Sequence, residues 1–229
     1  MAQNLLLLPG LGCDARVWRD VTAALEGIKA VVADLTQDDS MAALARRTLD
    51  AAPDRFALAG HSMGGYVALE IMRQAPERVE RLALLDTAAV PDTPERSAGR
   101  RAAIAAAQGG KFSLVADAAV PGLVMPENVK GPIGREVRDM LIRVGLEAFE
   151  RQQRAIIARP DSRPGLAALD LPVLVGVGEF DTLIPPAMSE EMAEAIPGAE
   201  LAIFSNAAHS PTMENPGAVA AAMQSWLAR

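Results

Sequence analysis

A serine stands two residues from a glycine on either side in Gly60-His61-Ser62-Met63-Gly64-Gly65, where an apolar run, Arg55 to Gly60, gives way to an amphipathic one, Tyr66 to Ala75. A strand-to-helix turn this tight has no room for side chains at its flanks. It holds the serine in strained backbone geometry with its hydroxyl thrown clear. A hydroxyl so presented suits nucleophilic attack, provided that the chain supplies a base, an acid to orient it and donors for the oxyanion.

The chain has two histidines. His61 is adjacent to Ser62, and neighbouring side chains leaving a strand point to opposite sides, so it is poorly placed to take the serine proton. His209 lies in Asn206-Ala207-Ala208-His209-Ser210, just past an apolar run, and is the expected base. Asp181, after Gly178, is the expected orienting acid; Asp86 and Glu179 compete for that role. Met63 would supply one oxyanion amide. The glycine-rich loop Pro9-Gly10-Leu11-Gly12 would supply the other, from Leu11.

These residues need a frame that brings them to one edge. Asn4 to Gly10, Lys29 to Leu35, Arg55 to Gly60 and Arg81 to Thr87 read as apolar strands, and Pro172 to Gly178 and Glu200 to Phe204 add two more. Helical stripes alternate with them: Val17, Trp18, Val21, Ala24, Leu25 and Ile28, capped by Asp14; Met41 to Ala52, begun by Asp39 or Ser40; Pro186 to Ile196; and Val219 to Leu227 after Pro216. Such alternation implies a doubly wound, mostly parallel α/β sheet with ligands at the carboxyl ends of its strands. From Pro91 to Gly165 the alternation stops and only helical signals remain. This stretch is expected to be a helical lid inserted into a core made of residues 1–90 and 166–229.

The chain has 229 residues and carries a net charge of −7, which argues against nonspecific nucleic-acid binding. The segment from Pro91 to Gly165 departs from this, with 12 Lys/Arg against 9 Asp/Glu. Its arginines, among them Arg96, Arg100, Arg101, Arg151, Arg154, Arg159 and Arg163, suit carboxylate substrates or an acidic carrier protein, or are simply solvated helix faces. Met125, Met140 and Phe149 are candidates for its apolar lining. The single cysteine, Cys13, excludes an internal disulfide framework and fits a cytoplasmic location. Leu5 to Leu8 is too short for a membrane span, and no Cys/His cluster suggests a metal site.

The order Ser62, Asp181, His209, the Gly-His-Ser-Met-Gly-Gly elbow, the Leu-Pro-Gly-Leu-Gly loop and the His209-Ser-Pro-Thr-Met-Glu214-Asn-Pro216 segment together resemble the α/β-hydrolase superfamily. The resemblance covers nearly the whole chain, which begins at what would be the family's third strand. Pro9 departs from the histidine that many members carry there. The resemblance implies a serine hydrolase without a cofactor, cleaving a small carboxylic ester or lactone through an acyl-enzyme. Small-lid relatives include carboxylesterases, methyl-ester esterases acting on carrier-bound acyl chains, enol-lactonases and carbon-carbon bond hydrolases, with haloperoxidase and perhydrolase side activities. Two other readings compete. One is a ligand receptor that keeps the fold. The other is a nicotinamide oxidoreductase, since Gly10-Leu11-Gly12-Cys13-Asp14-Ala15 fits a dinucleotide fingerprint with Asp34 beyond it, although that reading leaves the elbow, Asp181 and His209 unexplained.

Overall fold

A computed structural model describes residues 3–229. Six strands, β1 (Gln3–Leu8), β2 (Ile28–Val32), β3 (Phe56–His61), β4 (Val79–Leu85), β5 (Val173–Gly178) and β6 (Glu200–Phe204), form one sheet in the order β2-β1-β3-β4-β5-β6. Every pairing is parallel. Strand side chains alternate between two apolar layers: Leu6, Leu8, Leu58, Leu82 and Val175 enter one, and Leu5, Leu7, Ala59, Ala83 and Leu174 the other. The first layer is closed by α2 (Met41–Ala51), α3 (Met63–Gln74) and α8 (Pro186–Ala195), the second by α1 (Arg16–Thr22) and α10 (Pro216–Leu227). A short α9 (Pro211–Glu214) precedes α10.

β1 sits between β2 and β3, so the chain winds one way from β1 to β2 and the other way from β3 onward. The loops after β1 and β3 therefore leave the sheet side by side at its switch point, where an α/β sheet gathers its ligands. Between β4 and β5 the described residues form helices only: α4 (Pro94–Ala106), α5 (Phe112–Ala119), α6 (Pro132–Val144), α7 (Leu146–Ile157) and short 3-10 turns. A kink at Gly109 and Gly110, the latter at φ 81°, separates α4 from α5.

The first helix is shorter than its apolar stripe suggests. Asp14 accepts the Arg16 amide at 2.9 Å, but the N-cap position of α1 is Ala15, which has no side-chain cap; α1 stops at Thr22, and Gly27 at φ 70° turns the chain so that Ile28 pairs with Gln3 as the start of β2. A stripe of apolar residues cannot tell a helix from the strand that follows it when the turn between them is short. The edge strands are also less buried than their composition implies: Val31 on β2 and Leu201 and Ile203 on β6 are exposed.

Candidate active site

The elbow after β3 is built by excluded side chains. A Cβ on Gly60 would lie 2.4 Å from the Gly64 carbonyl oxygen, one on Gly64 2.2 Å from the Leu8 carbonyl oxygen, and one on Gly65 2.4 Å from Thr87 Oγ1. Only glycine lets β3, α3 and β1 close to this distance. Ser62 itself adopts φ 53° and ψ −116°, a conformation that costs on the order of 1–3 kcal/mol and needs its surroundings to hold it. The Ser62 amide donates to the Leu85 carbonyl at 2.9 Å, and the Thr87 hydroxyl donates to the Ser62 carbonyl at 2.8 Å.

Ser62, His209 and Asp181 meet at this edge. His209 Nε2 lies 2.8 Å from Ser62 Oγ, and His209 Nδ1 lies 2.7 Å from Asp181 Oδ2. A carboxylate only accepts, so Nδ1 carries the proton and Nε2 is free to receive one from the serine. Asp181 Oδ1 accepts the Leu183 and Ile184 amides at 2.8 and 2.9 Å, which locks the carboxylate in place. His209 and Asp181 are each 2% exposed, so the arrangement can move a proton from hydroxyl to imidazole in a setting shielded from bulk water. Among the described residues, the amides of Leu11 and Met63 donate to no protein acceptor.

His61 does not touch the serine hydroxyl. Its Nε2 donates to the His209 carbonyl at 2.8 Å, and its ring packs edge-on against Trp18 and 5.4 Å from the ring of His209. Burial, followed by proximity to His209, pushes its pKa down from 6.5 to about 4, so it stays neutral and steadies the loop that carries His209. Of the two competing acids, Glu179 Oε2 accepts the Asn206 amide away from the imidazole. Asp86, at φ 48° and fully buried, accepts the Gly178 amide at 2.8 Å and presses against Asp181. Burial, and then the charge of Asp181, raise its pKa well above the ordinary carboxylate range. Asp86, Asp181 and His209 form a group with ligand-like atoms within 4.8 Å of one another. The His209 nitrogens are already bonded to Asp181 and Ser62, which leaves no open ligand position on the imidazole.

A sequence model of the alpha/beta hydrolase family matches residues 5–222. The chain belongs to that family. Among its relatives is a pimeloyl-[acyl-carrier protein] methyl ester esterase from Klebsiella pneumoniae, 26% identical over 94% of this chain and 90% of the relative. Another of that description, from Neisseria meningitidis, is 29% identical over 93% of this chain and 78% of the relative. Among solved structures, a thermophilic esterase from Thermogutta terrifontis, malate bound, superposes with a TM-score of 0.91 at 29% identity, covering 99% of this chain and 89% of that one. The enol-lactonase from Burkholderia xenovorans gives 0.88 at 26% identity, covering 100% and 92%.

In this hydrolase a cavity of about 410 Å³ opens onto Ser62 and His209 beneath the inserted helices. Met140 and Phe149 line it, as do Leu11, Leu141 and Ile156. Met125 does not: it faces a separate hollow with Pro121, Glu179 and Phe180. The Glu214 carboxylate holds the Met125 amide at 2.7 Å, while Gly122 and Leu123, earlier in the same turn, take the inner side. Cys13 also borders the cavity, but burial, assisted by the charge of Asp14, pushes its thiol up to about 12, so it is not a nucleophile at neutral pH.

Two residues that sequence reasoning missed hold the site together. Gln152 on α7 is fully buried; its Oε1 accepts the Gly12 amide at 2.9 Å and its Nε2 donates to the Leu35 carbonyl at 3.0 Å, tying the insertion to the loop after β1. Its signal was a glutamine inside the apolar stripe Ala148, Phe149, Ala155 and Ile156. Glu214 accepts the Ala208 amide at 2.8 Å and Asn128 Nδ2 at 2.8 Å, tying the His209 loop to the insertion. No local pattern marked Glu214 for that role. The dinucleotide fingerprint is also filled: a Cβ on Gly12 would lie 2.3 Å from Leu141 Cδ1, and Asp34 is spent on its own Thr36 at 2.6 Å. Among the described residues no helix is long and apolar enough to cross a membrane.

Proposed function

We propose that this hydrolase cleaves a small carboxylic ester or lactone through an acyl-enzyme intermediate. The observation that carries this reading is the continuous chain from Ser62 Oγ through His209 to Asp181, ending in a cavity beside two unspent amides. His209 Nε2 takes the serine proton as Oγ attacks the carbonyl carbon. The negative oxygen rests on the amides of Leu11 and Met63, and Asp181 stabilises the imidazolium. The imidazolium then protonates the departing alkoxide, and the acyl group stays on Ser62. In the second half His209 deprotonates a water, which attacks the acyl carbon and frees the acid.

Residues 91–165 serve as a lid over a core of residues 1–90 and 166–229, and its apolar lining selects the acyl group. The names of the relatives support ester and lactone chemistry. They also support a methyl ester on an acidic carrier protein as one form of substrate.

The test is a panel of p-nitrophenyl esters of rising chain length, with lactones and a carrier-bound methyl ester alongside, run on the wild type and on Ser62→Ala. Turnover should fall by on the order of 10⁴ or more in the variant, with the melting temperature preserved. A fluorophosphonate probe should label the wild type at Ser62 only. Ester cleavage at a comparable rate in Ser62→Ala would overturn the assignment.

A further inference from the structure

Among the described residues, the permanently charged groups on the cavity wall are Arg96 and Arg100, and no aspartate or glutamate lines it. They stand one turn apart on α4. Arg100 donates through Nε to Asp92 at 2.6 Å and through Nη1 to Gln153 at 2.8 Å. Asp92 is shared, because Arg159 Nη1 also reaches it at 2.5 Å. Arg159 is an internal strut, its side chain 2% exposed and its guanidinium 4.3 Å over the ring of Tyr66. One carboxylate against two guanidiniums leaves a positive charge uncompensated at Arg100. Arg96 adds a second: it donates to the Leu183 carbonyl and has no carboxylate partner among the described residues.

We propose that Arg96 and Arg100 form a carboxylate-binding subsite, so that the ester or lactone taken by this cavity carries an ionised carboxylate away from the reacting carbonyl. The inference rests on the hydrolytic reading above. A guanidinium fork matches a carboxylate in shape and charge, and an apolar wall strengthens the attraction by keeping water out. A neutral acyl chain would leave both cations facing apolar atoms.

The test uses two matched methyl esters, monomethyl glutarate and the analogue whose free acid is replaced by a carboxamide. In the wild type the ratio of kcat/KM should favour the carboxylate by about tenfold or more, the scale of one charge-assisted hydrogen bond. In Arg96→Gln the ratio should fall towards one. Equal use of both esters by the wild type, or an unchanged ratio in the variant, overturns the subsite while leaving the esterase reading intact. Loss of turnover on every ester and lactone, p-nitrophenyl esters included, overturns the hydrolytic reading instead. Glutarate binding to Ser62→Ala, measured by calorimetry, then decides the subsite independently: tenfold weaker binding in Ser62→Ala/Arg96→Gln supports it, and equal or undetectable binding in both overturns it.

On the other side of the triad, Asp86 Oδ2 is buried and finds no donor, and an Asp86 carboxyl oxygen lies within 4.8 Å of one on Asp181. Two carboxyls this close in a dry site do not both ionise, and a proton on one gives it a hydrogen to turn towards the other. We infer that Asp86 is a positioning residue: its carboxyl O–H donates to Asp181 while its Oδ1 holds the Gly178 amide, bracing the acid that orients His209. The surrounding ionisable groups agree, since Asp181 and Glu214 both bring negative charge towards Asp86, and His209 completes the cluster.

Asp86→Asn keeps both contacts, with Nδ2–H in place of O–H, so the acidic limb of the kcat/KM profile should stay where the wild type has it. An ionised Asp86 would instead make Asn shift that limb to lower pH by about one unit, because a negative charge near the imidazolium would be lost; that result overturns the inference. Asp86→Leu should move the limb upward and lower kcat with little change in KM. A leucine variant with the wild-type limb and kcat also overturns it. Should the leucine variant fail to fold, the asparagine profile decides alone.

Discussion

The strand-end network and the helical insertion solve different problems with different bonds. At the strand ends, backbone amides hold the Asp181 and Asp86 carboxylates, a backbone carbonyl holds the Ser62 amide, and glycines remove atoms that would keep β1, β3 and α3 apart. In the insertion side chains carry the ties singled out above: Gln152 and Glu214 tether it, Arg159 and Asp92 brace it, and a Cβ added at Gly99, Gly109 or Gly110 would meet nothing within 4 Å. Backbone ties tolerate little displacement, whereas side-chain ties can be exchanged without moving the chain. On the proposed reading, the chemistry lies in the region held by backbone ties, and the acyl-group lining lies in the region held by side chains.

Substitutions that act unequally on the two regions sharpen this contrast. Gly64→Ala should be the most damaging, because its Cβ would meet backbone that cannot yield; a loss of roughly 3 kcal/mol or more by denaturant unfolding is expected. A loss under 1 kcal/mol would show that the elbow is looser than its contacts imply. Gln152→Leu cuts a tether and leaves the Gly12 amide and Leu35 carbonyl unpaired, at a cost of about 2–3 kcal/mol with a lower kcat. Unchanged kcat would separate the tether from the oxyanion loop.

His61 gives a pH-dependent contrast. Folded His61 binds a proton only near pH 4, whereas the unfolded imidazole binds one near 6.5, so between these values the unfolded chain holds more protons. Stability should rise with pH through that window and fall as pH drops. This one group accounts for about 2 kcal/mol between pH 7 and pH 5. Replacing His61 with Gln should flatten the slope by that amount in urea titrations at the two pH values; equal slopes would refute it. The smallest effect is expected in the insertion. Gly99→Ala, in exposed α4 with open space around it, should stabilise by roughly 0.5–1 kcal/mol, read as a higher denaturation midpoint.

Much of the site was legible because its signals are local. The glycine spacing around Ser62 reports the elbow directly, and Pro216 reports the start of α10, which the structure caps with Asn215 accepting the Ala218 amide. Met140 and Phe149 were legible as apolar positions on amphipathic helices, but such a stripe says only that a residue is covered, not by what. Met125 was misplaced for that reason: its position depends on Glu214, 89 residues further along the chain. The apolar stripe from Val17 to Ile28 overruns α1 because it continues in register through a turn that only Gly27 marks.

Chain order, strand-helix alternation and the elbow follow from the sequence by itself, since each depends on steric and periodic rules acting within about a dozen residues. The tertiary structure decided what becomes of the second carboxylate beside His209. The sequence favours Asp181 with Asp86 as a competitor, but the two follow neighbouring strands β4 and β5 at one sheet edge, and only folding brings them within 4.8 Å of each other. Two ionised carboxylates cannot occupy one dry site, so burial and mutual repulsion leave Asp181 bonded to the imidazole and raise the proton affinity of Asp86. That outcome depends on distances across the sheet, which no spacing along the chain encodes.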